Sequence, residues 1–202
     1  MAIADIDTSL ITVGQPAEGG CCWTSFAESP TLPTDAVTKM STLSDFESLG
    51  ELSENGYTES KSVTENKFTG WHGSVVLTAI SGEENTYKAE FIEVNRPSVA
   101  KLRHGSTNVE EADDGSVSHI KGKVGSGDKV PLVFDELESN GYLRRTVIRK
   151  ASINSFDDVP HQKGALMVYG MTFTAIEVDG QMFDIYRAKP ASTPASKSAA
   201  KN

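Results

Sequence analysis

A chain of 202 residues, 38% hydrophobic and 23% charged, can bury a core as one large domain or two small ones. Its 28 acidic residues against 19 basic ones leave a formal charge of −9, the opposite of the footprint that grips phosphates, which argues against sequence-specific nucleic-acid binding. The imbalance is local: residues 1–60 carry ten acids and a single base, Lys39, whereas residues 61–202 carry eighteen of each.

Met1–Asp7 lacks the basic start and unbroken apolar run of a signal peptide, because Asp5 and Asp7 interrupt it. No apolar run reaches membrane-spanning length. These features predict a soluble protein retained in the cytoplasm that makes it. Residues 1–40, with Pro16, Pro30, Pro33 and the Gly19-Gly20-Cys21-Cys22 cluster, have no sustained apolar period and read as an extended N-terminal arm, either a loose leader or a segment ordered on a neighbouring subunit.

From Ser48 the chain reads as successive strands. Ser48–Ser53 and Tyr57–Val63 flank Glu54-Asn55-Gly56, and Asn-Gly predicts a tight hairpin there. Phe68–Ile80 follows as one longer β segment, with Val75, Val76 and Leu77 as its buried stretch, and Ser81–Asn85 as a turn. Tyr87–Val94 alternates Tyr87, Ala89 and Phe91 against Lys88 and Glu90, the period of a half-buried strand. One short helix is predicted next, capped by Asn95, with Pro97 in its first turn, Val99 and Leu102 on one face, and Gly105 as its stop. Ser106–Gly115, with Glu110, Glu111, Asp113 and Asp114, reads as a solvated acidic loop.

Further strands are predicted at Val117–Lys123, Val130–Glu136, Tyr142–Ile153, Ala165–Val178 and Gln181–Ala188, with Asp179-Gly180 as a tight turn. Residues 189–202 have the composition of a flexible C-terminal tail. The fold class is therefore mainly β, a β-sandwich or partly open barrel with one short flanking α-helix, spanning residues 41–188.

Few residues suggest chemistry. The run Gly122–Lys129 departs from a phosphate loop because Asp128 stands where lysine should follow the glycine and no Ser or Thr follows Lys129. His72, His104, His119 and His161 have no metal-ligand spacing with each other or with Cys21 and Cys22. No nucleophile motif is present. No catalytic, metal or cofactor site is expected. Arg144, Arg145, Arg149 and Lys150 form the one basic cluster. In a regular strand Arg145 and Arg149 share one face and Arg144 and Lys150 the other, a split that favours salt bridges, including across a subunit boundary to the acidic N-terminal third.

Asp45–Gly56, Trp71–Val76, Tyr87–Gly105, Val133–Arg145 and Leu166–Tyr186, taken in that order over about residues 40–188, resemble the major tail protein, or tail tube protein, of long-tailed bacteriophages. The resemblance implies a noncatalytic virion subunit, assembled in the host cytoplasm. Six copies would form a ring, and rings would stack into the hollow tube through which the genome passes. It further implies that the sheets of neighbours join into a continuous inner barrel. The partners would be other copies of the chain, a tape-measure protein, and terminator and baseplate or tail-tip proteins. DNA would pass transiently, without specific binding, and no membrane is involved.

On this reading Glu47, Glu51, Glu54 and Glu59 on the first hairpin are candidate lumen acids, and Trp23, Arg144, Arg145 and Arg149 are candidate contacts between subunits. A contractile-tail or injection-machine tube is the neighbouring alternative. A monomeric β-sandwich binding module is the alternative from another class.

Overall fold

The computed structural model describes residues 7–17, 20–125 and 127–189. In chain order the elements are β1 (Gly14–Pro16), β2 (Cys22–Thr24), β3 (Glu47–Ser48), β4 (Leu52–Thr69), β5 (Val75–Phe91), α1 (Pro97–His104), β6 (Val109–Glu111), β7 (Val117–Ile120), β8 (Lys129–Glu138), β9 (Leu143–Phe156), β10 (Tyr169–Ala175) and β11 (Phe183–Ala188). The fold is mainly β with one short helix, as the sequence predicts. The main sheet runs β3-β2-β8-β9-β10-β5-β4, with β1 joining β8 and β11 joining β9. Every ladder in it is antiparallel.

That sheet curls until its β4 end packs over β8. Tyr57 of β4 stacks on Phe134 of β8 with ring centroids 4.1 Å apart, although three strands separate them along the sheet, and Tyr87 of β5 lies 6.2 Å from the same ring. The enclosed core also holds Cys22, Phe91, Leu132, Ile148, Met171 and Phe173. Helix α1 adds Val99 and Leu102 to this core. Ser98 Oγ donates to the Ser48 carbonyl at 2.6 Å, and Arg103 lies 4.5 Å over the Tyr169 ring, so the helix reaches from β3 to β10.

Residues 132–134 and 146–148 are buried on both faces of the β8–β9 ladder. Leu132, Phe134 and Ile148 face the enclosed core, while Val133 and Val147 face a second cluster with Trp23, Met40 and Phe46. The second cluster exists because Arg145 straps the 35–38 segment over this face. Its guanidinium donates to both Asp135 carboxylate oxygens at 2.6 and 2.8 Å, and to the carbonyls of Asp35 and Thr38 at 2.8 Å each.

Several elements differ from the sequence reading. Asn55-Gly56 makes no hairpin: β4 continues through it, and four residues, Ser53–Gly56, bulge between the Leu52–Phe91 and Tyr57–Ala89 pairs. Gly56 at φ 62° supplies the left-handed conformation that this bulge needs. Ser81–Asn85 is strand rather than turn, and the reversal lies at Gly70–Ser74, where the Gly70 N–H donates to the Ser74 carbonyl at 2.8 Å. Phe68–Ile80 is thus split between two strands. Part of the expected arm is sheet, since Cys22, Trp23 and Thr24 lie buried between β3 and β8. Residues 1–6 of that arm and nearly all of the expected tail, 190–202, lie outside the described residues.

Part of the acidic loop forms the small β6–β7 hairpin. Arg96, not Asn95, precedes the helix, and its side chain makes no cap. The Asp179-Gly180 turn forms as expected, with both residues at positive φ (52° and 78°) between bridged Val178 and Gln181. Alternation in β9 breaks where Val130 faces Ala151 but Leu132 faces Ile148. Pro131, lacking an N–H for the ladder, stands at this shift, and Ala151 consequently joins Ile148 in the core.

Phe134→Ala should lower stability by about 3–5 kcal/mol, read as an earlier urea midpoint, because it empties the contact that closes the sheet.

Candidate assembly surfaces

The β4–β5 hairpin leaves the body of the protein. Below about Ser60 and Asn85 its strands pack into the core through Tyr57, Tyr87, Ala89 and Phe91; beyond them both faces are exposed along the whole length. This arm of ~11 residues per strand projects roughly 35 Å at the ordinary strand rise. It carries Val63, Phe68, Trp71, Val75, Val76, Leu77 and Ile80 in the open, with Trp71 100% and Ile80 71% accessible. The apolar stretch Val75–Leu77, expected to be buried, is therefore exposed within the single chain. A burial reading of that run presumes covering atoms, and the chain itself supplies none. Phe68 pairs directly with Leu77, so their side chains stand together on one face. The seven are divided between the two faces and the turn of the arm, so apolar surface is open to solvent on both of its sides.

The sheet also leaves edges. Among the described residues β4 pairs only with β5, and β11 only with β9, so the outer edges of both are without a described partner strand. β11 is held by Arg187, whose Nε donates to Glu138 Oε1 at 2.8 Å, and by Asp184, which accepts from Arg149 at 3.0 Å.

The residues singled out from the sequence take varied places. Arg145 and Trp23, expected at a subunit boundary, are buried inside their own chain, the first by its four hydrogen bonds and the second in the Val133–Val147 cluster. Arg149 pairs with Asp184, and Arg144 Nε lies 3.6 Å from Glu136; both are partly exposed. The four candidate lumen acids do not share a hairpin, because the predicted turn is a bulge. Glu47 in β3 lies 3.6 Å from Lys101. Glu59 accepts from the Tyr87 hydroxyl at 3.4 Å. Glu51 and Glu54 do come together, with Asp135, Glu136 and Tyr57, around an acidic hollow of about 490 Å³. The residues that sequence reasoning missed are the hairpin apolars; their signal, an apolar run beside Trp71-His72-Gly73, was visible but assigned to the core.

Burial pushes both the Cys21 and Cys22 thiols up, Cys22 strongly, which holds them protonated and poor as nucleophiles. Burial raises the Tyr57 hydroxyl and the neighbouring Glu136 carboxylate raises it further. Burial would lower the Lys101 ammonium, but Glu111 and Glu47 outweigh it and hold it above its ordinary value, fixing α1 to β6 and β3. Among the described residues no three His, Cys, Asp or Glu side chains gather as a metal-holding group, and no helix is long and apolar enough to cross a membrane. No protein-family model matches the chain, and no curated protein matches it significantly.

Two measurements follow from this geometry. Trp71→Ala should leave monomer stability within about 0.5 kcal/mol of wild type, since the ring touches no core, checked by urea unfolding at low concentration. The Glu138 carboxyl is held below its ordinary 4.5 chiefly by its hydrogen bonds from Arg187. A depressed folded value stabilises fully above 4.5, less below it, and not at all beneath the folded value. Glu138→Gln should accordingly be less stable than wild type at neutral pH, and the gap should close on acidification in paired urea titrations.

Proposed function

We propose that this chain is a structural subunit that assembles with other copies of itself into stacked rings, six copies to a ring by the resemblance drawn above. The product is a hollow tube of the kind that forms the tail of a long-tailed bacteriophage. The observation that carries the reading is the hairpin arm, which holds seven apolar side chains in water on a strand pair that its own core does not cover. Such a surface is an aggregation hazard in a monomer and an asset in an assembly. The unpaired outer edges of β4 and β11 add to it, because edges of neighbouring copies can join and closure of a barrel removes them.

A head-to-tail contact between unlike patches generates closed rings or open filaments, which are the two levels of order in such a tube. The excess of acids suits a conduit through which DNA must slide without adhering. On this reading the Glu51–Glu54 hollow and Glu59 are candidates to face the lumen. The tape-measure protein would occupy the lumen during construction, with terminator and baseplate proteins at the ends, and the finished protein resides in the virion.

The test is negative-stain electron microscopy of the full chain over a concentration series, beside the variant Leu77→Asp. Wild type should form rings or hollow tubes above a threshold concentration, while Leu77→Asp stays monomeric with an unchanged circular dichroism spectrum. A wild-type chain that remains a folded monomer throughout would refute assembly and turn attention to a monomeric binding module.

A further inference from the structure

The chain contains the tripeptide Asn-Gly-Tyr twice, at Asn55-Gly56-Tyr57 and at Asn140-Gly141-Tyr142. Asparagine followed by glycine is the pairing most open to loss of the side-chain amide, because glycine has no Cβ to obstruct ring closure onto its nitrogen. At both glycines a Cβ would meet nothing within 4 Å. The local sequence therefore makes the two sites near equals, and a large difference between them is the work of the fold.

The fold treats them oppositely. Gly141 lies in the turn between β8 and β9, where its N–H donates to the Glu138 carbonyl at 2.7 Å. The Asn140 side chain is half-buried, and its Oδ1 accepts from the Tyr142 N–H at 3.2 Å, the local bond that asparagine makes in turns. Nucleophile and target are thus both engaged. Asn55 is exposed, and Ser53–Gly56 bulge from the β4–β5 ladder without partners in its register. Its Nδ2 donates at 3.3 Å to Glu90 Oε2, which already accepts from Ser53 Oγ at 2.8 Å.

We propose that Asn55-Gly56 is a site of spontaneous deamidation in the folded protein, and that its conversion loosens the Tyr57–Phe134 seam. The Gly56 nitrogen, on losing its proton to solvent, attacks Asn55 Cγ; the bond from Cγ to Nδ2 breaks and ammonia departs. Water then opens the succinimide ring at either carbonyl, leaving aspartate or isoaspartate at position 55. The sum is one amide and one water giving one carboxylate and one ammonium, with no change of oxidation state. Both products load the seam. A donor to Glu90 becomes a carboxylate facing it, beside a hollow already lined by Glu51, Glu54 and Glu136. Isoaspartate also lengthens the backbone two residues before Tyr57, in the bulge that sets this ring on Phe134.

The experiment ages the full folded chain in mildly alkaline buffer and follows both sites by peptide mapping with mass spectrometry, beside the same chain in urea. In urea the two sites should convert at comparable rates. In the folded chain Asn55 should convert about ten-fold faster than Asn140, whose turn must open before its glycine can attack. Equal rates in the folded chain, or a folded Asn55 site as inert as Asn140, would overturn the assignment. Aged protein, separated by anion exchange on its added negative charge, should unfold at a lower urea midpoint than fresh protein. Asn55→Asp should reproduce part of that loss, and Asn55→Gln should age without it. An aged fraction with an unchanged midpoint would overturn the link to the seam.

Discussion

Stacking of Tyr57 and Tyr87 against Phe134 closes the sheet upon itself, and the rest of the structure depends on that closure. A nine-stranded antiparallel sheet left open would expose one apolar face along its length; bringing β4 and β5 over β8 converts that face into an enclosed core. The helix then needs only to cover the gap between β3 and β10. The bulge at Ser53–Gly56 belongs to the same constraint, since the strand must bend to carry Tyr57 across to Phe134. Tyr57 completes the seam by donating its hydroxyl to Glu136 at 3.0 Å.

Closure also determines what is left outside. The 18 and 17 residues of β4 and β5 run past the core, which they leave at about Ser60 and Asn85, and the remainder is a two-stranded arm exposed on both faces. An isolated hairpin is marginal in water, and this one is held by its long ladder and by cross-strand pairs such as Lys61 with Glu83 at 2.6 Å. Its apolar side chains gain nothing from the monomer. Under the assembly proposed above, they are the surface that another copy of the chain would cover.

Arg145 organises the other face of the β8–β9 ladder. Buried in a mainly apolar cluster, a guanidinium is tolerated because Asp135 neutralises it and two carbonyls take two more of its five N–H donors. The same bonds brace the 35–38 segment over Val133 and Val147. A residue expected to reach a neighbour through its charge instead fixes a segment of its own chain.

The sequence by itself determined the elements whose cause is local. Strand patterning at Tyr87–Val94 and Ala165–Val178 located strands that the structure ends at Phe91 and confines to Tyr169–Ala175; Asp179-Gly180 marked its turn; Pro97 and Gly105 bounded the helix; and the succession of strand patterns made the fold mainly β. Tertiary structure alone decided the rest, because those outcomes depend on atoms distant in the chain. Asn55-Gly56 is as good a hairpin signal as Asp179-Gly180, yet the demand that Tyr57 meet Phe134 turned it into a bulge. Val75–Leu77 has the hydrophobicity of a core strand, and only the position of the turn at Gly70–Ser74 left it in solvent. Arg145 and Trp23 read as exposed anchors until β2 and the 35–38 segment closed over them. Hydrophobic pattern specifies that a side chain seeks cover; which atoms provide it is a property of the folded sheet.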